Sequence, residues 1–206
     1  KLPTPDATSY DESLAYARRF IERWRSHGRI IPALGPHSAY TTTPEILAEV
    51  RRMALEYRVP VLIHLAETAH EVGEMLEEVG LSPVAWVQAQ GLFDGVPVIA
   101  AHCVHVDEGD IAILARHGVG VISNPTSNLK LASGIPPYRN FLRGNLTVGL
   151  GTDGCASNND LNLWEEIRLA SFLAKVTSGD PTALPARQAL AMATIEGARA
   201  LGLGEK

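Results

Sequence analysis

Several apolar runs in this sequence stop at a residue that can do chemistry. Val-Leu-Ile-His-Leu-Ala-Glu ends at His64, with Glu67 three residues on. Val-Ile-Ala-Ala-His-Cys ends at His102, Leu-Thr-Val-Gly-Leu-Gly-Thr-Asp at Asp153, and Ala-Leu-Gly-Pro-His at His37. Another run closes on Ser123-Asn124-Pro125-Thr126. Imidazoles and carboxylates gathered without a neighbouring nucleophile suit a divalent metal that activates water. In that chemistry His64 and Asp153 suit ligation, and Glu67 can carry a proton between water and substrate. His102 can orient the attacking hydroxide or stabilise the charge that develops. Taken singly, each residue has a plainer reading. His64 with Glu67 suits a hydrogen-bonded strand-end pair, and His102 a core histidine. Asp153 suits a turn or a helix cap, and His37 a shaped loop. Asn124, Ser127, Asn128 and Ser157 read individually as turn formers, and Cys103 and Cys155 as packing residues.

Such residues meet only if the elements bring them together. The apolar runs are Arg29–Gly35, Val59–Leu65, Val96–Ala101, Val119–Ser123 and Leu146–Gly151. They lack polar alternation, as parallel strands covered on both sides do. Helical stretches with their own start signals alternate with them. Ser9 with Glu12 forms a capping-box pattern, Thr43 precedes Pro44, and Thr68 and Asp107 each open an amphipathic run. Longer helices are expected over Leu161–Val176 and Pro185–Leu201. Serial βα units imply a parallel sheet, because parallel neighbours need crossover connections. By pattern alone, a doubly wound sheet and a (β/α)8 barrel both remain open. In either, strand C-terminal ends converge on one mouth where ligands bind.

Composition removes other classes. Of 206 residues 46% are hydrophobic, enough for a substantial core. The net charge is −5 and the 18 Lys and Arg form no block, which argues against nucleic-acid binding through a basic face and against an electrostatic membrane anchor. Two cysteines make no disulfide framework and are expected as reduced thiols in a cytoplasmic protein. No apolar run reaches the roughly 18 residues of a membrane helix, and no secretory leader pattern opens the chain. Trp24, Trp86 and Trp164 are expected in helix packing.

The stretches GPHSAYTTTPEIL (Gly35–Leu47), VLIHLAET (Val61–Thr68), AHCVHVDEGDIAILARHGVGVISNPTSNLKLASGIPP (Ala101–Pro137) and VGLGTDGCASNNDLNLWEEIRLA (Val148–Ala170) resemble the metal-dependent amidohydrolases. Within them the likeness is to the 5-methylthioadenosine/S-adenosylhomocysteine deaminase group. The resemblance implies an α/β fold of partial TIM type, matching strands four to eight of a (β/α) barrel with their helices. Residues 1–206 would then form a single incomplete barrel domain. It implies that His64 and Asp153 bind one divalent metal, zinc or else iron. It further implies that Glu67 is the proton-shuttling acid/base, that His102 assists attack, and that His37 and Glu67 contact the substrate. The implied reaction is hydrolytic deamination of an adenosine-like purine: metal-activated water attacks the ring amidine carbon, Glu67 protonates the ring nitrogen and ammonia leaves.

The family also draws two ligands from an H-x-H pair on its first strand. The histidines here are His27, His37, His64, His70, His102, His105 and His117, and no two are so spaced. The expectation is therefore a fragment that holds metal weakly and turns over little by itself. A half-barrel leaves sheet edges uncovered, so association with the missing N-terminal half or a homo-oligomer is expected. Related activities on the same scaffold are a guanine deaminase and an s-triazine chlorohydrolase. A different class of function is a non-catalytic half-barrel interaction module.

Overall fold

The computed structural model describes residues 7–205. Two helices come first, α1 (Tyr10–Trp24) and α2 (Pro44–Tyr57), followed by β1 (Val61–Leu65), α3 (Ala69–Val79) and α4 (Pro83–Ala89). Then come β2 (Val98–His102), α5 (Glu108–Arg116), β3 (Gly120–Ser123), α6 (Pro125–Lys130), α7 (Tyr138–Arg143) and β4 (Val148–Leu150). Four helices close the order: α8 (Cys155–Asn158), α9 (Leu163–Ser178), α10 (Ala186–Met192) and α11 (Ile195–Ala200). The strands form one parallel sheet in the order β1-β2-β3-β4, with Leu65 beside His102 and Ser123 beside Leu150. Consecutive strands that are parallel neighbours, joined by helices, are the expected part-barrel arrangement.

The start signals behave as their chemistry dictates. The side chains of Ser9, Thr43, Thr68 and Asp107 accept from the backbone N–H groups of Glu12, Ile46, Glu71 and Asp110. Asp107 and Asp110 complete a reciprocal capping box. At α1 the box is displaced by one residue, since Glu12 accepts from the Thr8 amide at 2.8 Å rather than from that of Ser9. Gly80 ends α3 in the left-handed conformation that glycine adopts without strain.

Three expectations need correction. The first expected strand, Arg29–Gly35, is not a strand but a bridged edge. Pro32 and Pro36 have no amide to donate, and only Leu34↔Val61 and Ser38↔His64 are paired. Four steps along this segment face three along β1, so one extra residue is accommodated as in a bulge. The second and third runs begin two residues late, at Val61 and Val98, directly after Pro60 and Pro97. The expected single helix over Pro185–Leu201 is two, broken at Ala193–Thr194.

The break lets α11 come down on a glycine-bearing face of the sheet. A Cβ on Gly120 would sit 2.0 Å from the Ala200 carbonyl oxygen, and one on Gly149 would sit 2.9 Å from the Gly197 Cα. On the other face Val61, Ile63, Leu65, Val121 and Val148 are buried in the core. Trp86 packs in that core as expected, whereas Trp164 stands 74% exposed. No helix among the described residues is long and apolar enough to cross a membrane.

Two glycine substitutions should therefore act with opposite sign. Gly120→Ala drives a methyl into backbone and is expected to destabilise by about 3 kcal/mol or to prevent folding. Gly73→Ala, inside α3 with nothing within 4 Å of the added carbon, should stabilise by about 0.5–1 kcal/mol. Urea denaturation of the two variants checks both.

Candidate metal centre

The strand ends leave the pleat abruptly. Ala66 (φ 51°), His102 (φ 72°), Cys103 (φ 48°) and Asp153 (φ 61°) are all left-handed without being glycine. Such residues are held there only when their surroundings over-determine them, at a cost of order 1 kcal/mol or more each. For His102 the consequence is direct. Its partner in register is Leu65, which points into the core. The left-handed step turns His102 out of that alternation, and its ring centroid lies 5.4 Å from that of His64. Cys103 is fully buried and burial pushes its thiol up, so it is an inert packing residue. Both cysteines are free.

One potential ligand atom each from His64, His102 and Asp153 lies within 4.8 Å of the others. His64 donates through Nδ1 to the His37 carbonyl oxygen at 2.7 Å, because a carbonyl can only accept. Its Nε2 therefore keeps a lone pair, and the ring is oriented as metal-binding histidines are. Oδ2 of Asp153 accepts from Ser127 Oγ at 2.7 Å and from Ser157 Oγ at 2.6 Å. Desolvation alone would raise this carboxyl. The two serine hydroxyls, the Gly154 amide and nearby His102 outweigh it and hold the group below the usual carboxylate range. The site thus presents an ionised carboxylate beside imidazole nitrogens, a donor set that fits a divalent cation.

Glu67 stands at the side of this group. Its Oε2 is 3.7 Å from His102 Nε2, and its Oε1 accepts from Ser133 Oγ at 3.3 Å. His102, 1% exposed, lies 2.8 Å through Nδ1 from Asn128 Oδ1, which makes that nitrogen the donor and leaves Nε2 facing Glu67. The His37 ring lies 4.8 Å from that of His64 at 61° between planes. Partial burial and the adjacent His64 lower its pKa against the pull of Glu67, which favours the neutral imidazole. His37 also lines a mostly apolar cavity of about 480 Å³ with Tyr10, Leu34 and Tyr40.

All five residues singled out in the sequence thus meet at one end of the sheet. The surrounding polar groups matter more than their individual reading as turn formers allowed. Ser127 and Ser157 hold Asp153, and Asn128 holds His102. Asn124 needs Gly151 beside it, where a Cβ would lie 2.6 Å from Asn124 Oδ1. His105 braces the Glu67 side from behind, with Nε2 2.6 Å from the Ser133 carbonyl oxygen. Two buried carboxylates were not foreseen. Glu71 accepts from the Ala66 and Glu67 amides at 3.2 and 2.7 Å, and Glu166 lies between the loops after β3 and β4. Both sit in the first turn of a helix, where acidic residues are common, so their types gave no separate signal.

Known proteins carry a similar sequence and shape. The chain is 51% identical over 198 residues to the 5-methylthioadenosine/S-adenosylhomocysteine deaminase of Desulforudis audaxviator, covering 95% of this chain and 46% of that protein. A zinc-bound adenosine deaminase from Xanthomonas campestris superposes with a TM-score of 0.94 at 41% identity, over 100% of this chain and 46% of that one. Guanine deaminase from C. acetobutylicum, with guanine in its active site, gives 0.88 at 26% identity over 98% and 50%. The chain thus spans about half the length of the relatives it matches. The model of the amidohydrolase family extends over residues 3–206, and by that match this chain belongs to the amidohydrolase family.

Proposed function

We propose that this chain supplies part of a metal-dependent hydrolytic deaminase acting on an adenosine-like purine, with residues 1–206 as one incomplete barrel domain. The observation that carries the reading is the convergence of His64, His102 and Asp153 within 4.8 Å, with Glu67 beside them. That convergence occurs in a chain whose 51% identical relative is named a deaminase.

In this reading His64 Nε2 and Asp153 hold a divalent metal, zinc or alternatively iron. Bound there, the ion supplies Lewis-acid activation of water near neutral pH. The remaining chemistry falls to the side chains. Glu67 takes a proton from water and gives it to the ring nitrogen next to the amidine carbon. Water adds at that carbon, and the exocyclic amine departs as ammonia with its third proton drawn from the same water. His102 Nε2, pointing toward Glu67, hydrogen-bonds the attacking water and fixes its direction. His37, an imidazole beside His64, contacts the purine edge. Guanine, which carries its exocyclic amine on C2 and an oxygen on C6, is the second reading, supported by the 0.88 superposition on the guanine-bound enzyme.

Zinc takes about four ligands, and His64 with Asp153 gives two. The proposal therefore includes a second polypeptide segment that brings the H-x-H pair and covers the bridged Leu34–Ser38 edge. Leu62, a strand residue left 42% exposed, supports an uncovered face, as do Tyr16 and Phe20 at 54% and 38% on α1. The free state of both cysteines supports a cytoplasmic setting.

The direct test is a chimera in which this chain replaces the matching 46% of the Desulforudis audaxviator protein. Ammonia release is measured from 5′-methylthioadenosine, S-adenosylhomocysteine and guanine. We expect turnover of an adenosine-like substrate, falling by about 10²–10⁴ in Glu67→Gln. A folded, metal-loaded chimera that hydrolyses none of them would sink the proposal. For the covering segment, sedimentation decides: the chain by itself is expected to self-associate. A monodisperse, stable 22.2 kDa monomer argues against it.

A further inference from the structure

We propose that Glu166 is the positioning residue of Asp153, a role that rests on the metal-site reading above. Glu166 belongs to the first turn of α9 and is 0% exposed. Its Oε2 accepts from the Thr126 amide at 2.9 Å and its Oε1 from Asn158 Nδ2 at 2.7 Å. The same Asn158 nitrogen donates to the Thr152 carbonyl at 2.8 Å, and Asn158 Oδ1 accepts from the Leu161 amide at 3.1 Å. One carboxylate therefore ties the loop after β3 to the loop after β4.

Those two loops meet again at the metal centre. Thr126 precedes Ser127, whose hydroxyl donates to Asp153 Oδ2, and Thr152 precedes Asp153 itself. Asp153 sits at φ 61°, a left-handed conformation that costs aspartate less than most non-glycine residues but that outside support helps to hold. The Thr152 carbonyl is the handle on the peptide plane that enters Asp153, and Asn158, gripped by Glu166, holds that handle. Glu166 thus fixes Asp153 from two directions: the backbone through Asn158, and the carboxylate through the placing of Ser127.

The need for a carboxylate follows from donor and acceptor counts. Both groups facing Glu166 are N–H donors, so both arms of the side chain must accept. Glutamine would turn an NH2 toward one of them, leaving a buried donor without an acceptor. Burying a charge is costly, and here it is compensated by two charge-assisted hydrogen bonds and the N-terminal end of a 16-residue helix.

The test compares Glu166→Gln with Asp110→Asn in this chain. Asp110 is also a buried carboxylate, but its bonds go to the Ser82 hydroxyl and the Asp107 amide, not to a residue of the metal centre. Cobalt(II) is titrated into each protein and followed by its visible absorption bands. Glu166→Gln is expected to lower cobalt affinity about 10- to 100-fold and to alter the band pattern. Asp110→Asn should stay within about twofold, because it supports no ligand. A metal-free crystal structure of Glu166→Gln should show Ser127 Oγ and Asp153 Oδ2 separated beyond about 3.5 Å. Equal losses of affinity in the two variants, or a retained Ser127–Asp153 bond, overturn the role of Glu166. If the unsubstituted chain takes up no cobalt, metal uptake requires the H-x-H segment proposed above, and the crystal structure alone decides what Glu166 does.

Discussion

The geometry of the site depends on one backbone constraint: the chain must turn out of the parallel pleat at the last residue of a strand. A strand held to strict alternation would send His102 to the helix side with Leu65. The left-handed steps at Ala66, His102, Cys103 and Asp153 send these groups into one mouth instead. That conformation is disfavoured for every residue involved, so something else must hold it. The buried polar network does so. Glu71 accepts the amides beyond β1, Asn128 bonds His102, and Glu166 with Asn158 pins the chain entering Asp153.

This arrangement explains why so many polar groups are buried beside an apolar core without destabilising it. Glu71, Glu166, His102 and Asp153 each take a partner that is a backbone amide or another residue of the network, while Asn128 Nδ2 and Thr126 Oγ1 are buried without one. The helices contribute through their first turns, where amides lack intrahelical partners and acidic side chains are favoured. Glu71 and Glu166 are first-turn residues of α3 and α9, and each turns its carboxylate toward a loop that carries a functional group. The fold therefore stabilises its site with the same residues that begin its helices.

The packing of α11 on the sheet has a different logic, although by register Gly149 shares a face with His64. Gly120, Gly149 and Gly197 leave no room between backbone and backbone, and the α10–α11 break is the turn that allows such close contact. The open side is the bridged Leu34–Ser38 edge. Prolines limit its hydrogen bonds, yet the His37 carbonyl accepts both the amide and the ring Nδ1 of His64. One backbone oxygen thus joins the sheet edge to the orientation of the imidazole.

Helix starts, the parallel sheet and the identity of His37, His64, Glu67, His102 and Asp153 were legible in the sequence. Capping residues act within three positions of themselves, and apolar runs report burial directly, so local order carries that information. The two-helix break after Pro185 and the bridged first edge were not legible. Both depend on what the segment touches: glycine-bearing strands in one case, β1 in the other. The parts played by Ser127, Asn128, Ser157, Glu71 and Glu166 were also hidden, because serines, asparagines and first-turn glutamates are ordinary in loops and helix starts. What distinguishes them is a partner 26 to 40 positions away for Ser127, Asn128 and Glu166, and a strained strand-end backbone for Glu71. By itself the sequence determined which groups reach the strand ends. Only the tertiary structure decided which buried donors and acceptors keep them pointed at one another, because a hydrogen bond across loops exists only once the loops have met.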